Sequence, residues 1–255
     1  LWFTRNSYQS GRSQKGADGI TRLAIYKAHA QGNSWGRVEQ FLFNNSEISV
    51  GHPALSPDGK RLFFVSDMPG GHGGTDIYMC MDQGGQWGEP MNLGSVINTP
   101  NNESFPFIGT DGTLYFASNG HPGLGGLDVM AAKYLGLDEF APPMNLGAPV
   151  NGTRDDFGLI IDKANRRGFF SSNREGGAGD DDIYAFEMLA PLDQRYLVTG
   201  LVIDDDTGSP LIEQEVRLLD KKGLILATTT TDIRGEYTFP VDKDREYQLR
   251  VEMKG

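Results

Sequence analysis

The sequence predicts an all-β protein in which one sheet unit recurs along most of the chain. Four segments resemble one another: WFTRN (2–6, a degenerate copy), FFVSDMPGGHGGTDIY (63–78), YFASNGHPGLGGLDVM (115–130) and FFSSNREGGAGDDDIY (169–184). When Phe3, Phe64, Phe116 and Phe170 are aligned, the copies are spaced by 61, 52 and 54 residues. Each copy offers short apolar runs separated by turns, without helical periodicity. Four short strands repeated at this period predict the blades of a β-propeller.

Each copy carries signals for its individual strands. Asp58-Gly59 and Asp111-Gly112 separate two apolar runs, and glycine accepts the positive φ that a hairpin turn requires. These turns predict the first two strands of a blade, and the run DIY or DVM predicts the third. The segments WGEPMNLG and FAPPMNLG that follow predict the outermost strand.

About four blades are visible, and they are not equally complete. Residues 1–45 offer the second to fourth strands of one blade, 50–95 and 103–148 offer two whole blades, and 155–188 offer the first three strands of another. Because an exposed sheet edge invites mispairing, propellers usually pair the two chain ends within one blade. We therefore expect residues before Leu1 to supply the outermost strand of the last blade. We expect the whole ring to contain five or six blades.

The stretch GGAGDDDIY (176–184) fits a calcium-binding nonapeptide, G-G-x-G-x-D-x-U-x. A calcium β-roll requires tandem copies, and the match occurs once, so we predict structural roles for the repeated turn residues. The predicted structural set is Asp76, Asp128 and Asp182, which cap turns, with Gly71, Gly126 and Gly177, which let the chain reverse. Asp180, Asp181 and Asp182, with Asp155 and Asp156, remain a weak metal candidate; the alternative is a solvated loop. No cofactor is predicted.

A second domain follows the repeats. Residues 1–190 are predicted to form the propeller, 191–195 a linker, and 196–255 a β-sandwich that is truncated at its C-terminal end. Tyr237 and Phe239 alternate with polar residues, and Gly208, Gly223 and Gly235 mark turns. Period-2 alternation of this kind predicts antiparallel sheets with one buried face.

Composition excludes several classes of function. The net charge of −11 argues against a nucleic-acid ligand, because few basic groups could neutralise phosphates. The single cysteine, Cys80, excludes an intrachain disulfide framework. No apolar stretch approaches the roughly 20 residues of a membrane span. With no hydrolase nucleophile elbow recognised, the chain is predicted not to be an enzyme.

Histidines and tryptophans are the remaining candidates for site residues. The four histidines fall at non-equivalent places in the repeat, and His52, at the position of Phe105 and Phe157, is predicted to pack on an inner strand. The tryptophans, Trp2, Trp35 and Trp87, recur at blade positions, where inter-blade packing and a ligand platform are the two interpretations.

Two family resemblances refine these predictions. SPDGKRLFFVSD followed by GGTDIY resembles the WD40-like (PD40, TolB-type) propeller repeat over residues 1–190. GLVIDDDTGSPLIEQEVRLLD with TTTTDIRGEYTF resembles the carboxypeptidase regulatory-like domain, which implies a transthyretin-like sandwich without peptidase chemistry. This domain order resembles OmpA-family, PorE-like envelope proteins of Bacteroidetes that serve type IX secretion and gliding.

The resemblance implies a non-enzymatic periplasmic scaffold associated with the outer membrane, with a lipid anchor as one route of attachment. Its implied partners are other envelope or secretion-machinery proteins, and peptidoglycan through a domain outside this sequence. The Gly-rich loops 68–75, 119–127 and 174–181, with His72, His121 and Arg174, are the predicted contact residues. Two alternatives stay open: the accessory propeller of a secreted prolyl-oligopeptidase-like peptidase, and a propeller that binds carbohydrate or metal.

Overall fold

The computed structural model describes residues 1–190, 192, 196–241 and 245–252, which contain 23 strands. That part of the chain has no α-helix, and therefore none that could cross a membrane. The chain divides into two compact units, Leu1–Leu192 and Asp193–Gly255. Most of the predicted linker, residues 191 and 193–195, lies outside the described residues.

The first blade is a three-stranded antiparallel sheet with the order β1-β4-β5. Its strands, with a small hairpin inserted after the first, are β1 (Trp2–Asn6), β2 (Tyr8–Gln9), β3 (Arg12–Ser13), β4 (Leu23–Gln31) and β5 (Ser34–Gln40). Phe3 lies opposite Tyr26, as Phe64 lies opposite Tyr78 in the second blade, so β1 and β4 correspond to second and third strands. The described chain holds no first strand for this blade, which agrees with the sequence pattern.

The second and third blades are complete. The second contains β6 (Val50–Leu55), β7 (Arg61–Ser66), β8 (Asp76–Met81) and β9 (Met91–Asn92), hydrogen-bonded in chain order. The third contains β10 (Glu103–Ile108), β11 (Leu114–Ser118), β12 (Asp128–Ala132) and, as its outermost strand, Met144–Asn145. An added hairpin, made of β13 (Tyr134–Gly136) and β14 (Glu139–Phe140), lies between β12 and the outermost strand. The outermost strand, Met144–Asn145, is therefore β15.

The fourth blade has three strands, β16 (Asp156–Ile161), β17 (Arg167–Ser172) and β18 (Asp182–Glu187). Phe169 and Ile183 on its far side are 51% and 76% exposed, whereas their counterparts in the second and third blades are at most 2% exposed. The fourth blade therefore presents an uncovered apolar face of the kind that the earlier blades bury.

Successive blades pack face to face. One core joins the first and second blades and includes Ile25, Phe64 and Tyr78. Another joins the second and third through Phe63 and Phe116. Further core residues join the third and fourth blades: Tyr115, Val129, Leu159 and Phe170. Since sheets pack against one another face to face and neighbouring inner strands lie side by side, the unit is a β-propeller with two four-stranded and two three-stranded blades.

The inner strands share an irregularity. The pairing of β6, β10 and β16 with its neighbour shifts register at a bulge in each blade. The backbone has φ values of 51° at His52, 51° at Phe105 and 64° at Gly158, so these three residues are equivalent. His52 lies on an inner strand, but its counterpart in the fourth blade is Gly158. The sequence alignment with Phe157 was wrong by one residue, because the aromatic residue of the fourth blade lies one position before the shared bulge.

The second unit contains two antiparallel sheets. One pairs β19 (Tyr196–Leu201) with β22 (Glu236–Val241), and the other has the order β21 (Ile225–Thr230), β20 (Glu215–Asp220), β23 (Tyr247–Glu252). Val216 and Leu218 of one sheet and Phe239 and Val241 of the other form a single core. The transthyretin-like family of this unit stays a prediction.

Cys80 provides a test of the propeller core. The thiol is completely buried, and burial raises the pKa of Cys80 to about 12. Because the thiolate is the nucleophile, we expect no alkylation of the native protein at pH 8 and complete alkylation in denaturant. The labelling rate at increasing urea should follow unfolding of the propeller measured by fluorescence. Rapid labelling that is independent of urea would contradict this packing.

Candidate functional site

The predicted structural aspartates begin the third strand of three blades and bind the loop before it. Oδ2 of Asp76 accepts the N–H of His72; Oδ2 of Asp128 accepts those of Leu124 at 2.9 Å and Gly125 at 3.0 Å. Oδ2 of Asp182 accepts the amides of residues 178 and 179 at 2.8 and 3.1 Å. Each carboxylate thus satisfies amide groups of its own Gly-rich turn.

The glycines of this set occupy two different positions. A Cβ at Gly71 or Gly177 would overlap the carboxylate of Asp76 or Asp182, and Gly123 is their counterpart in the third blade. Gly126 lies three residues beyond Gly123, where a Cβ would overlap the carboxylate of Asp155 from the next blade. Gly126 therefore faces a neighbouring blade and does not have the place in the turn that the sequence alignment assigned to it.

The Gly-rich loops are hydrogen-bonded to the segment that opens the following blade. The Gly74 amide donates to the Asn101 carbonyl at 2.7 Å, and the Glu103 amide donates to the Thr75 carbonyl at 2.8 Å. One blade later, Gly126 donates to Arg154 at 3.2 Å and Asp156 donates to Leu127 at 2.7 Å. We call these two paired contacts the inter-blade bridges.

A second glycine lets each bridge form. A Cβ at Gly73 would overlap the carbonyl oxygens of Thr99 and Asn101, and one at Gly125 would overlap those of Gly152 and Arg154. Gly179 is their counterpart in the fourth blade, and the nearest atom to its Cβ position is the Asp181 carbonyl oxygen at 3.6 Å. The close approach is thus required only where a following blade is present in the described chain.

Buried carboxylates at the start of the inner strands were missed by the sequence interpretation. Glu103 is completely buried and accepts the Thr99 amide at 2.8 Å and the hydroxyls of Thr99 and Ser118 at 2.7 Å. Asp156 is also completely buried and accepts the Gly152 amide at 2.6 Å. Their position before an apolar inner strand is the signal that could have identified them.

Three asparagines were also missed. Asn98 accepts the Ile77 amide at 2.8 Å and donates to its carbonyl at 3.0 Å, so one side chain pairs with both backbone groups of a third strand. Asn151 makes the same pair of contacts with Val129, and Asn44 makes them with Ile25. The recurring spacing N-L-G-x-x-x-N at Asn92 and Asn145 is the signal that sequence analysis could have used.

The three predicted contact residues differ in how far their side chains are engaged in contacts within the propeller. The His72 side chain is exposed. Nε2 of His121 lies 2.8 Å from the Ile97 carbonyl oxygen, and its ring packs edge-on against Phe116. The Arg174 guanidinium lies over the rings of Phe170 and Tyr184 at 4.8 Å. It also donates to the Val150 carbonyl and, at 2.7 Å, to Asp156, so it acts as an internal tie between blades.

The aspartates predicted as metal candidates do not form a common metal site in the described part of the chain. Asp155 accepts the Leu127 amide at 2.8 Å, Asp156 is paired with Arg174, and Asp182 caps its loop, while Asp180 and Asp181 are exposed. Across residues 1–190, 192, 196–241 and 245–252, no group of three or more His, Cys, Asp or Glu side chains could hold a metal ion.

One pattern contradicts the sequence interpretation. Residues 32–36 read GNSWG and match G-x-S-x-G, the pattern of a hydrolase nucleophile elbow. The structure places Ser34 in the hairpin between β4 and β5, where its Oγ donates to the Gln31 carbonyl at 3.0 Å. An elbow requires a strand–turn–helix, and a strand follows here, so the geometry is that of a turn.

The inner strands carry a stack of rings. His52 lies parallel to Phe105 with a centroid separation of 4.1 Å, and Phe105 lies 4.9 Å from Phe157. Nδ1 of His52 accepts the Phe105 amide at 3.3 Å, which leaves the proton of the neutral ring on Nε2. Burial lowers the pKa of His52, so the neutral ring is favoured. All three rings are partly exposed and form an aromatic surface that spans three blades.

Comparisons with known proteins are limited to distant structures. No family model and no curated protein matches the chain. A TolB candidate from Agrobacterium tumefaciens is similar at 14% identity and a TM-score of 0.44, covering 100% of this chain and 91% of that one. A puromycin-hydrolyzing peptidase from Mycobacterium tuberculosis is similar at 13% identity and a TM-score of 0.42, covering 87% of this chain. The matched region is 40% of the length of that peptidase.

An endo-arabinase from Bacteroides thetaiotaomicron VPI-5482 is similar at 14% identity and a TM-score of 0.42, covering 67% of each chain. The named proteins differ in function, and these scores carry no inference about this chain's activity. These similarities concern the fold alone, and the blades described above are what identify the β-propeller.

The bridges predict an asymmetric response to glycine substitution. Gly73→Ala and Gly125→Ala should each destabilise the propeller by about 1–3 kcal/mol, because a methyl group is forced against backbone oxygens. The melting temperature should fall by roughly 3–10 °C, as measured by calorimetry.

Gly179→Ala is the matched control, since its Cβ position is open. It should change the stability by no more than about 1 kcal/mol, in the stabilising direction if at all. Equal losses from all three substitutions would show that the inter-blade bridges are not responsible.

The lowered pKa of His52 predicts that the free energy of unfolding decreases as the pH falls. Its folded pKa lies below the ordinary value of about 6.5, so the unfolded chain binds a proton more readily. The stability from the neutral ring is present above pH 6.5 and is lost as the pH falls below it, by at most about 1.4 kcal/mol per pH unit. His52→Phe, which copies Phe105, should lose less stability between pH 7 and pH 5 in urea titrations. Parallel losses in both proteins would contradict the assignment.

Proposed function

We propose that this chain is a non-enzymatic interaction module of a periplasmic, outer-membrane-associated scaffold of the OmpA family that serves type IX secretion or gliding. The observation that carries the proposal is the use of reactive groups within the fold. Glu103 and Asp156 hold backbone amides, while Arg174 and His121 hold backbone carbonyls. Side chains occupied in this way support a rigid binding platform better than acid–base chemistry.

Rigid loops on a repeated scaffold are suited to protein recognition. The Gly-rich loops lie at one end of the blades, and their backbone is fixed by the aspartates and bridges. His72 is the predicted contact residue that this arrangement leaves exposed, so we place the partner contact at the loop of the second blade. Asp58, in the hairpin at the opposite end of the same blade, is also exposed.

The envelope location rests on domain order. A propeller followed by a regulatory-like sandwich resembles the middle of PorE-like proteins, and attachment to peptidoglycan would belong to a domain outside this sequence. The proposed partners are accordingly other envelope or secretion-machinery proteins. This part of the proposal is an analogy of architecture, because fold alone does not determine function.

Site-specific photocrosslinking tests the proposal in the full-length protein in its own cells. A benzoylphenylalanine at position 72 should crosslink one discrete envelope protein, whereas the same group at position 58 should not. The same product at both positions, or none at position 72, would overturn the contact surface.

A fluorophosphonate probe tests the enzymatic alternative in the same cells. Such probes label the active serine of serine hydrolases, so the full-length protein should stay unlabelled while a cellular hydrolase is labelled as the positive control. Labelling of the full-length protein would favour the peptidase-accessory alternative over the scaffold.

A further inference from the structure

The outer edge between the first and second blades contains two adjoining cavities of about 360 Å³ each. The two share Leu42 and Trp87, so Trp87 stands between them with space on both sides. Trp2 also lines the first cavity, and its ring packs edge-on against that of Trp87 with a centroid separation of 5.9 Å. Volumes of this size lie at the lower end of the range for small-ligand sites.

The boundary between the second and third blades provides an internal comparison. The bridge between Asp82 and Trp87 corresponds to the pairing of Tyr134 with Phe140 in the third blade. There the Tyr134 ring lies 5.4 Å from Phe140, which is only 8% exposed. Trp87 contacts Trp2 much as Phe140 contacts Phe63, with ring centroids 5.9 and 6.1 Å apart. The second blade has Asp82 where the third has Tyr134, so Trp87 lacks the second aromatic ring that lies beside Phe140.

The first blade also differs at this boundary in its chemistry. Trp2 pairs with Lys27, whereas the equivalent pair in the second blade is Phe63 with Met79, both at most 2% exposed. The Lys27 ammonium lies 5.4 Å from the Trp2 ring centroid. At the boundary between the first and second blades, the amphipathic pair Trp2–Lys27 thus replaces a purely apolar pair. Packing alone does not require a cation and two indole rings at this edge.

We propose that the two cavities bind a neutral oligosaccharide built of pyranose rings, with one ring on each side of Trp87. A pyranose presents flat C–H faces, which match the indole faces of Trp2 and Trp87. Its hydroxyl groups match the hydrogen-bonding groups of the first cavity: Lys27 as donor and the Gln86 amide as both donor and acceptor. Glu39 adds acceptor capacity through the lone pairs that its contacts with His29 and Arg37 leave unused. Two subsites divided by one indole require at least two linked rings.

The negative charge of the chain favours a neutral glycan over an anionic one. The chain carries a net charge of −11, and Glu39 and Glu89 line the two cavities. In the first cavity Lys27 offsets Glu39, which is also paired with Arg37, and Glu89 is the charged residue that lines the second cavity. An anionic oligouronate would therefore be repelled at the second cavity and by the net charge of the chain, whereas a neutral glycan would not. This site lies at the outer edge and uses none of the loop residues assigned above to a protein partner, so its test is independent of the scaffold proposal.

Calorimetric titration of the 255-residue chain with cellotetraose tests the site. All-equatorial glucose units offer the flattest C–H faces, and we expect a Kd of about 1 mM or tighter. Asp82→Tyr restores the aromatic ring that Tyr134 supplies in the third blade, and Trp87→Phe copies Phe140. Both variants keep side chains that the repeat already accepts, and each should weaken binding at least about tenfold. Trp35→Phe, which changes the tryptophan outside both cavities, should leave the affinity unchanged.

Two results would overturn the proposal. One is the absence of binding heat at about 10 mM cellotetraose in the unsubstituted chain. The other is unchanged affinity in both Asp82→Tyr and Trp87→Phe while their melting temperatures show that they are folded. An oligouronate of the same length should bind at least about tenfold more weakly, and equal affinity would overturn the assignment to neutral glycans.

Discussion

The second, third and fourth blades of this propeller are tied together by hydrogen bonds between a Gly-rich loop and the segment that opens the next blade. Gly74 pairs with Asn101, and Gly126 pairs with Arg154. This contact constrains the loop sequence, because a side chain at Gly73 or Gly125 would occupy the place of a carbonyl oxygen. It also constrains the polar residues nearby, since the loop amides that do not reach the next blade need other acceptors. Asp128 and its equivalents provide that satisfaction.

The same constraint explains why groups that look reactive in the sequence serve the architecture. Asp155 and Asp156 are adjacent in the chain and Asp182 begins the third strand of the same blade, yet their hydrogen bonds go to different places. Asp155 accepts from the preceding blade, Asp156 from the segment that opens its own blade, and Asp182 from its own Gly-rich loop. A buried carboxylate is costly unless its lone pairs are used, so these groups are consumed by the fold. The two binding surfaces that we propose, the edge beside Trp87 and the exposed loop at His72, accordingly lie where the repeat is least regular.

The repeat made much of the fold predictable from sequence. The phase of the aromatic strand, the Asp at the start of the third strand and the missing strands of the first and fourth blades all follow from aligned copies. Features that depend on one residue of register did not follow. The fourth-blade equivalent of His52 is Gly158, because Phe157 lies one position before the bulge, and Gly126 contacts the next blade. Asn98 was overlooked because a side chain that pairs with a strand backbone leaves no periodic signal, and the cavities depend on Asp82 replacing an aromatic residue.

Native-state hydrogen exchange measures the inter-blade contact most directly. The amides of Gly74 and Gly126 donate across blade boundaries, and Asp180 is their counterpart in the fourth blade, where the described chain has no following blade. We expect the first two amides to exchange only through large-scale unfolding, with protection close to that of the core strands, and Asp180 to exchange near the rate of an unstructured chain. Rapid exchange of Gly74 and Gly126 in the folded protein would contradict the claim that these bridges hold the blades together.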